Sequence, residues 1–237
     1  MRVCFVGRGD LEKITGAQTE AATAGANGNV GVGSGVTLFS FQDEEVSYEK
    51  ELKGETDRFE RVAAASKAAK TVLVCGFITN ARGHKRKSAL VAENGKLLGV
   101  SDRIHSLDGD CASGATLRVY ETGAGRMGVV VAEDISFPDV IKTLTLCGSD
   151  FIVCTYGKLQ GIETALVRAY AYCFGIPIYL CGKGYAMLAD PSGKIAFASP
   201  QSPVYIEYKN VAEYRLIETR QKGVRQMKNA GGYGRFP

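Results

Sequence analysis

The segment Gly128-Val129-Val130-Val131-Ala132-Glu133-Asp134-Ile135-Ser136-Phe137-Pro138-Asp139 reads as an apolar strand that runs straight into a capped helix. A turn of that kind exposes a side chain at the end of a sheet, beside free helix N–H donors, and nucleophiles often sit there. Two carboxylates, Glu133 and Asp134, occupy the turn. If Ala132 faces inward, strand alternation turns Glu133 away. Asp134 is read as structural, holding the turn or complementing the following helix N-terminus.

Other chemistry-bearing residues carry less. Seven cysteines are present (Cys4, Cys75, Cys111, Cys147, Cys154, Cys173 and Cys181), an odd number with no C-x-x-C pair. Most lie in apolar runs, as buried thiols in a reducing cytoplasmic compartment do. His84 and His105 are too few and too poorly placed for a histidine-based zinc site. The glycines of Gly25–Gly35 suggest a phosphate cradle, but no Gly-Lys-Ser/Thr follows and a strand, not a helix, comes next. No metal or organic cofactor is expected.

The elements that must position these residues are short. Runs rich in Val, Ile, Leu and Tyr, bounded by Gly, Pro, Asp or Asn, predict strands at 2–6, 36–41, 71–76, 88–92, 96–100, 116–121, 127–132, 151–155, 177–181, 186–189, 194–198 and 204–208. Asn94-Gly95 joins two of them in a hairpin, since both residues accept positive φ. Asp190-Pro191-Ser192-Gly193 forms a turn between two others. Helices are predicted at 55–70, at 136–146 and at about 161–174, with a weaker one at 11–24. In the second, Ser136 is the cap, Pro138 suits the first turn and Gly148 ends it. Strands interspersed with helices argue one α/β or α+β domain with helices outside.

The chain has 237 residues, 45% of them hydrophobic and 23% charged, enough for a full core. No run approaches the roughly 18 apolar residues of a membrane-spanning helix. Net charge is +4, yet the stretch from Arg215 onward carries six basic residues and one acid, leaving about −1 for the rest. A nucleic-acid binder shows its basic face within the folded body. A basic tail over 225–237, solvated or wrapping a second subunit, follows a single domain over 1–224. Neither a nucleic acid nor a membrane is expected as partner.

The strand-to-turn segment resembles the nucleophile motif of the nitrilase (carbon–nitrogen hydrolase) superfamily: an apolar strand, Cys, an aromatic or Glu, Asp, two residues, then Phe-Pro-Glu. Two further blocks agree in order. Ser88–His105 resembles the family's hairpin followed by its Lys-x-His segment. Leu166–Leu180 followed by Asp190-Pro191-Ser192-Gly193-Lys194 resembles its later helix, strand and Asp-Pro-x-Gly hairpin. The resemblance covers about residues 70–215. It implies a four-layer α-β-β-α sandwich and a Glu-Lys-Cys site that attacks amides or nitriles. There the thiolate attacks carbon, the carboxylate shuttles the proton and the ammonium stabilises developing charge. It also implies dimers or higher homo-oligomers formed through helix faces, with C-terminal tails crossing onto the partner.

Against that pattern, the nucleophile position falls on Ala132 and the Lys position on Arg103. A guanidinium stabilises an oxyanion but shares protons poorly. The acid position falls among Gln42, Asp43 and Glu44, with Asp43 the candidate and the register open. Glu133 and Phe137 are candidate binding residues. Arg103 is read as lining the pocket, although Asp102 and Asp108 offer it a surface ion pair. His105 is read as a packing or hydrogen-bonding residue. The expected function is a catalytically weak or inactive superfamily member that binds a small amide- or carboxylate-type ligand. Two alternatives stay open: an active amidase seen with its Cys replaced by Ala132, and a structural or regulatory subunit.

Overall fold

The computed structural model describes residues 1–7, 35–106 and 109–209. The helix expected at 11–24, most of the glycine loop and the basic tail lie outside the described residues, as does Asp108.

Thirteen strands form two sheets among these residues. The first runs in the order β13(Val204–Glu207), β1(Arg2–Val6), β2(Gly35–Phe39), β4(Thr71–Ala81), β5(His84–Glu93), β6(Lys96–Asp102), with β3(Glu45–Ser47) added to β4. The second runs β12(Ile195–Ser199), β11(Tyr185–Ala189), β10(Ile178–Gly182), β9(Phe151–Thr155), β8(Gly125–Val131), β7(Val119–Thr122). The helices are α1(Tyr48–Leu52), α2(Arg58–Ala68), α3(Pro138–Leu146) and α4(Ile162–Phe174).

Side-chain alternation sorts the central strands into three apolar layers. Val72, Val74, Ala89 and Val91 of the first sheet meet Met127, Val129, Val131 and Val153 of the second in the middle layer. The opposite face of the first sheet, with Leu73, Cys75 and Leu90, packs on Val62 and Ala65 of α2. The opposite face of the second, with Val130, Ile152 and Leu180, packs on Val140, Leu144, Val167 and Ala171 of α3 and α4. This is the expected α-β-β-α sandwich. Strands buried on both faces read as continuous apolar runs, which is why the central strands are legible.

Several boundaries shift. The third strand prediction ends too early and the fourth begins too late, because β4 and β5 continue through a polar hairpin at Ala81-Arg82-Gly83-His84. The short β3 and α1 carry little apolar pattern and are not predicted. Ser136 does not cap α3: Phe137 is the N-cap residue and makes no side-chain cap bond, while Ala132–Ser136 forms a 3₁₀ turn. Pro138 does open the helix. The helix expected at 55–70 spans only α2. Asn94 and Gly95 take φ of 50° and 80°, as their hairpin requires. Five of the seven cysteines are buried and all are free; Cys147 and Cys173 are exposed.

One close approach seats α3 on the second sheet. A Cβ on Gly128 would lie 3.3 Å from Leu144 Cβ and 2.8 Å from Ser149 Oγ, so α3 lies directly against β8 at this bare residue. The last turn of α3 is thereby seated on β8.

Candidate functional site

β8 ends at Val131, and the next residue, Ala132, is buried with φ of +50°. Left-handed backbone is unfavourable for a residue bearing a Cβ, by roughly 1–2 kcal/mol. The chain thus leaves the strand sharply, and period-2 alternation stops before Glu133. The Glu133 side chain does not follow the strand pattern: it reaches Arg103 and Lys87. Arg103 Nη1 donates to Glu133 Oε2 at 2.7 Å, and Lys87 Nζ donates to Oε1 at 2.8 Å. Arg103 is 0% exposed, and its backbone N–H donates to Lys87 O at 2.8 Å, which extends the β5–β6 pairing beyond Asp102. Asp102 pairs with Arg86 rather than with Arg103. Burial pushes the Glu133 carboxyl up, but the Lys87 and Arg103 hydrogen bonds outweigh it and hold the group below the usual range.

Asp134 is buried and ties the turn to the segment after β6. It accepts from Ile104 N at 2.7 Å and His105 N at 2.9 Å, and lies 3.2 Å from His105 Nδ1. Burial is the largest influence on this carboxyl and raises it, against the lowering effect of those bonds. The His105 ring stacks on Phe137, with centroids 3.9 Å apart, and Nε2 is 3.6 Å from Asp139. The roles read for Asp134 and His105 from the sequence match these contacts. Phe137 is half-buried behind that ring.

The segment after β2 crosses between the sheets. Phe41 N donates to Tyr156 O at 2.9 Å, and Gln42 N to Gly76 O at 2.8 Å. Of the three acid-position candidates, Gln42 turns its amide onto Ser40 O and Oγ, each at 2.9 Å. Asp43 is 76% exposed and accepts from Lys183 Nζ at 2.6 Å. Glu44 pairs with Arg58. The structure therefore brings Arg103 and Glu133 together directly beside Ala132, joins Phe137 to that turn through His105 and Asp134, and places Asp43 on Lys183.

Three residues of this region escape the sequence reading. Lys87 shares the inward face of β5 with Ala89 and Val91, and that period-2 placement was the available signal. Phe41 packs in the middle layer with Lys87 Nζ 6.0 Å from its ring centroid. Thr155, at the end of β9, is wholly buried beside Val131 in the parallel register. Cys154 faces the outer layer instead, where burial pushes its thiol well above the ordinary value. Among the described residues no group of three or more His, Cys, Asp or Glu is placed to hold a metal ion.

The chain matches the carbon–nitrogen hydrolase family over residues 10–216. It belongs to that family. A probable nitrilase of Schizosaccharomyces pombe is 26% identical over 121 residues, which span 44% of this chain and 44% of the relative's length. Among solved structures, Nit3 of Saccharomyces cerevisiae, a member of branch 10 of the nitrilase superfamily, is similar with a TM-score of 0.72 at 15% identity over 94% of both chains. The carbon–nitrogen hydrolase of Helicobacter pylori G27 gives 0.71 at 15% identity, over 95% of this chain and 91% of that one. A double mutant of the amidase from Nesterenkonia sp. AN1, solved in complex with acrylamide, gives 0.69 at 13% identity over 96% of both chains. These likenesses fix the fold of this carbon–nitrogen hydrolase family member. In it the strand-end turn presents a methyl group, a buried guanidinium and a carboxylate shared by two cations. Position 132 bears neither a thiol nor a hydroxyl. Among the described residues no helix is long and apolar enough to cross a membrane.

Proposed function

We propose that this carbon–nitrogen hydrolase family member binds a small amide- or carboxylate-type molecule at the strand-end site and does not hydrolyse it. In this reading Ala132 stands at the nucleophile position, Arg103 at the Lys position, and the acid position lies among residues 42–44. The observation that carries it is the fully buried Arg103 tied to Glu133. A buried ion pair adds little to stability compared with apolar packing of the same volume. Its presence beside Ala132 fits a site kept for recognition of an oxyanion or acyl oxygen, which a guanidinium does well without sharing protons. Acrylamide bound to the Nesterenkonia amidase relative supports a small acyl ligand for this architecture.

The test compares the unmodified protein with Ala132→Cys, measuring ammonia release from amides, nitriles and N-carbamoyl compounds together with ligand-induced thermal shifts. The reading expects thermal shifts with small carboxylates or amides and no ammonia from the unmodified protein. Ammonia from the unmodified protein sinks it. Ammonia from Ala132→Cys alone supports an otherwise intact hydrolase with one residue replaced.

A second reading, a non-catalytic subunit that assembles with itself or an active relative, is favoured by the outer face of α4. Ile162 is 60% exposed and Tyr172 45% exposed; Ala165, Ala169 and Cys173 are exposed on the same helix. A monomer in sedimentation across the micromolar range, both alone and mixed with an active family member, would remove that reading.

A further inference from the structure

Thr155 carries a polar atom that the fold leaves unused. Its side chain is wholly buried, and Oγ1 has no hydrogen-bond partner among the described residues. A buried hydroxyl without a partner costs free energy that an isosteric valine would not. The strand itself shows the alternative, since Phe151 and Val153 share its inward face and are apolar. The position is not arbitrary. Thr155 lies in register with Val131, on a neighbouring parallel strand, one residue short of Ala132.

Opposite it stands Gly76, which bears no side chain. A Cβ there would fall on Thr155 Oγ1 and would lie 2.8 Å from Phe41 Cδ2. The bare glycine keeps the hydroxyl clear of the facing sheet. Phe41 in turn neighbours Lys87, and Lys87 shares Glu133 with Arg103. The orphan hydroxyl is thus joined to the paired cations through Gly76, Phe41 and Lys87, in the layer between the sheets beside the end of β8.

We infer that Thr155 is a ligand-contact residue: its hydroxyl donates a hydrogen bond to the acyl oxygen of a small carboxylate or primary amide bound at the strand-end site. This rests on the proposed function of that site and names a group that holds its ligand. A hydroxyl both donates and accepts, so it serves either the carboxylate or the amide form.

Thr155→Val tests the assignment, because it keeps the shape and removes the donor. Affinities for acetate through hexanoate and their primary amides are measured by calorimetry for the unmodified protein, Thr155→Val and Thr155→Ser, with denaturant midpoints of the ligand-free proteins. The expected result is a Thr155→Val midpoint equal to or above that of the unmodified protein, an affinity about tenfold lower, and recovery by Thr155→Ser to within about threefold. Unchanged affinity in Thr155→Val overturns the assignment and leaves the site's function standing. A lowered midpoint with unchanged affinity overturns it too and gives the hydroxyl a structural partner. If the unmodified protein binds no member of the series, the proposed function itself falls, and the Thr155 contact with it.

Discussion

The Arg103 guanidinium meets the Glu133 carboxylate at 2.7 Å with the arginine side chain entirely out of solvent. The two residues come from different sheets, Arg103 just beyond β6 and Glu133 just beyond β8. Their pairing closes the sandwich at its strand-end edge. Lys87, from β5, completes the bridge on the other carboxylate oxygen.

Removing that carboxylate takes from the buried Arg103 the anion that Nη1 meets. Glu133→Gln is expected to destabilise the protein by about 3 kcal/mol at neutral pH, seen as a lower urea midpoint at unchanged m-value. The pH dependence has a definite sign. The Glu133 carboxyl is held below its ordinary value of 4.5, so its stabilisation is complete above that value and is lost as the pH falls through the folded-state pKa. The gap between the two proteins therefore narrows below about pH 4.5. A gap constant down to pH 3 contradicts the pairing.

Ala132 combines burial with a φ of +50°. Ala132→Gly relieves the backbone but loses a buried methyl worth about 0.8 kcal/mol, and the two nearly cancel. Ala132→Val adds a β-branched side chain to a conformation it strongly disfavours, so a loss of more than about 2 kcal/mol is expected. Equal melting of the valine variant and the parent by calorimetry rejects a strained turn at this residue.

Much of this architecture is readable because the central strands are buried on both faces and leave apolar runs, such as Val72-Leu73-Val74 and Ile152-Val153-Cys154. The polar hairpin joining β4 to β5 leaves no such trace, since its pairing is a backbone property. Arg103 stands out in the chain as a charged residue two positions before a histidine, but its partner does not. Glu133 is thirty residues away, and the alternation rule sends it in the other direction. The rule fails because the left-handed Ala132 ends the strand, a conformation that no alanine announces. Asp43, the candidate acid of its segment, is taken by Lys183, 140 residues further on. Long-range pairing of that kind has no local signature.

Asp134 supplies both acceptor oxygens that hold the 104–105 backbone. In Asp134→Ala the amides of Ile104 and His105 lose their acceptors, at a cost of about 2–3 kcal/mol. Hydrogen exchange at those two amides is expected to rise far more than exchange in β9 or β10. Uniform loss of protection across the second sheet instead assigns Asp134 to global rather than local stability.

Gly76 and Thr155 oppose each other across the middle layer, where a Cβ on the glycine collides with the threonine hydroxyl and with Phe41. Gly76→Ala is expected to cost about 2–3 kcal/mol through overpacking. Thr155→Ala removes one of the two obstacles, so the double variant Gly76→Ala/Thr155→Ala loses less than the sum of the single variants, by at least about 1 kcal/mol. Thr155→Val puts a methyl where the hydroxyl stood and gives no such relief. The contrast matters because both second-site changes delete the hydroxyl, and only one deletes the volume. Coupling with alanine but not with valine places the collision at the Thr155 side chain. Strict additivity in both cycles shows that the backbone moves to admit the new methyl, and that the two sheets are not held at the spacing the glycine implies.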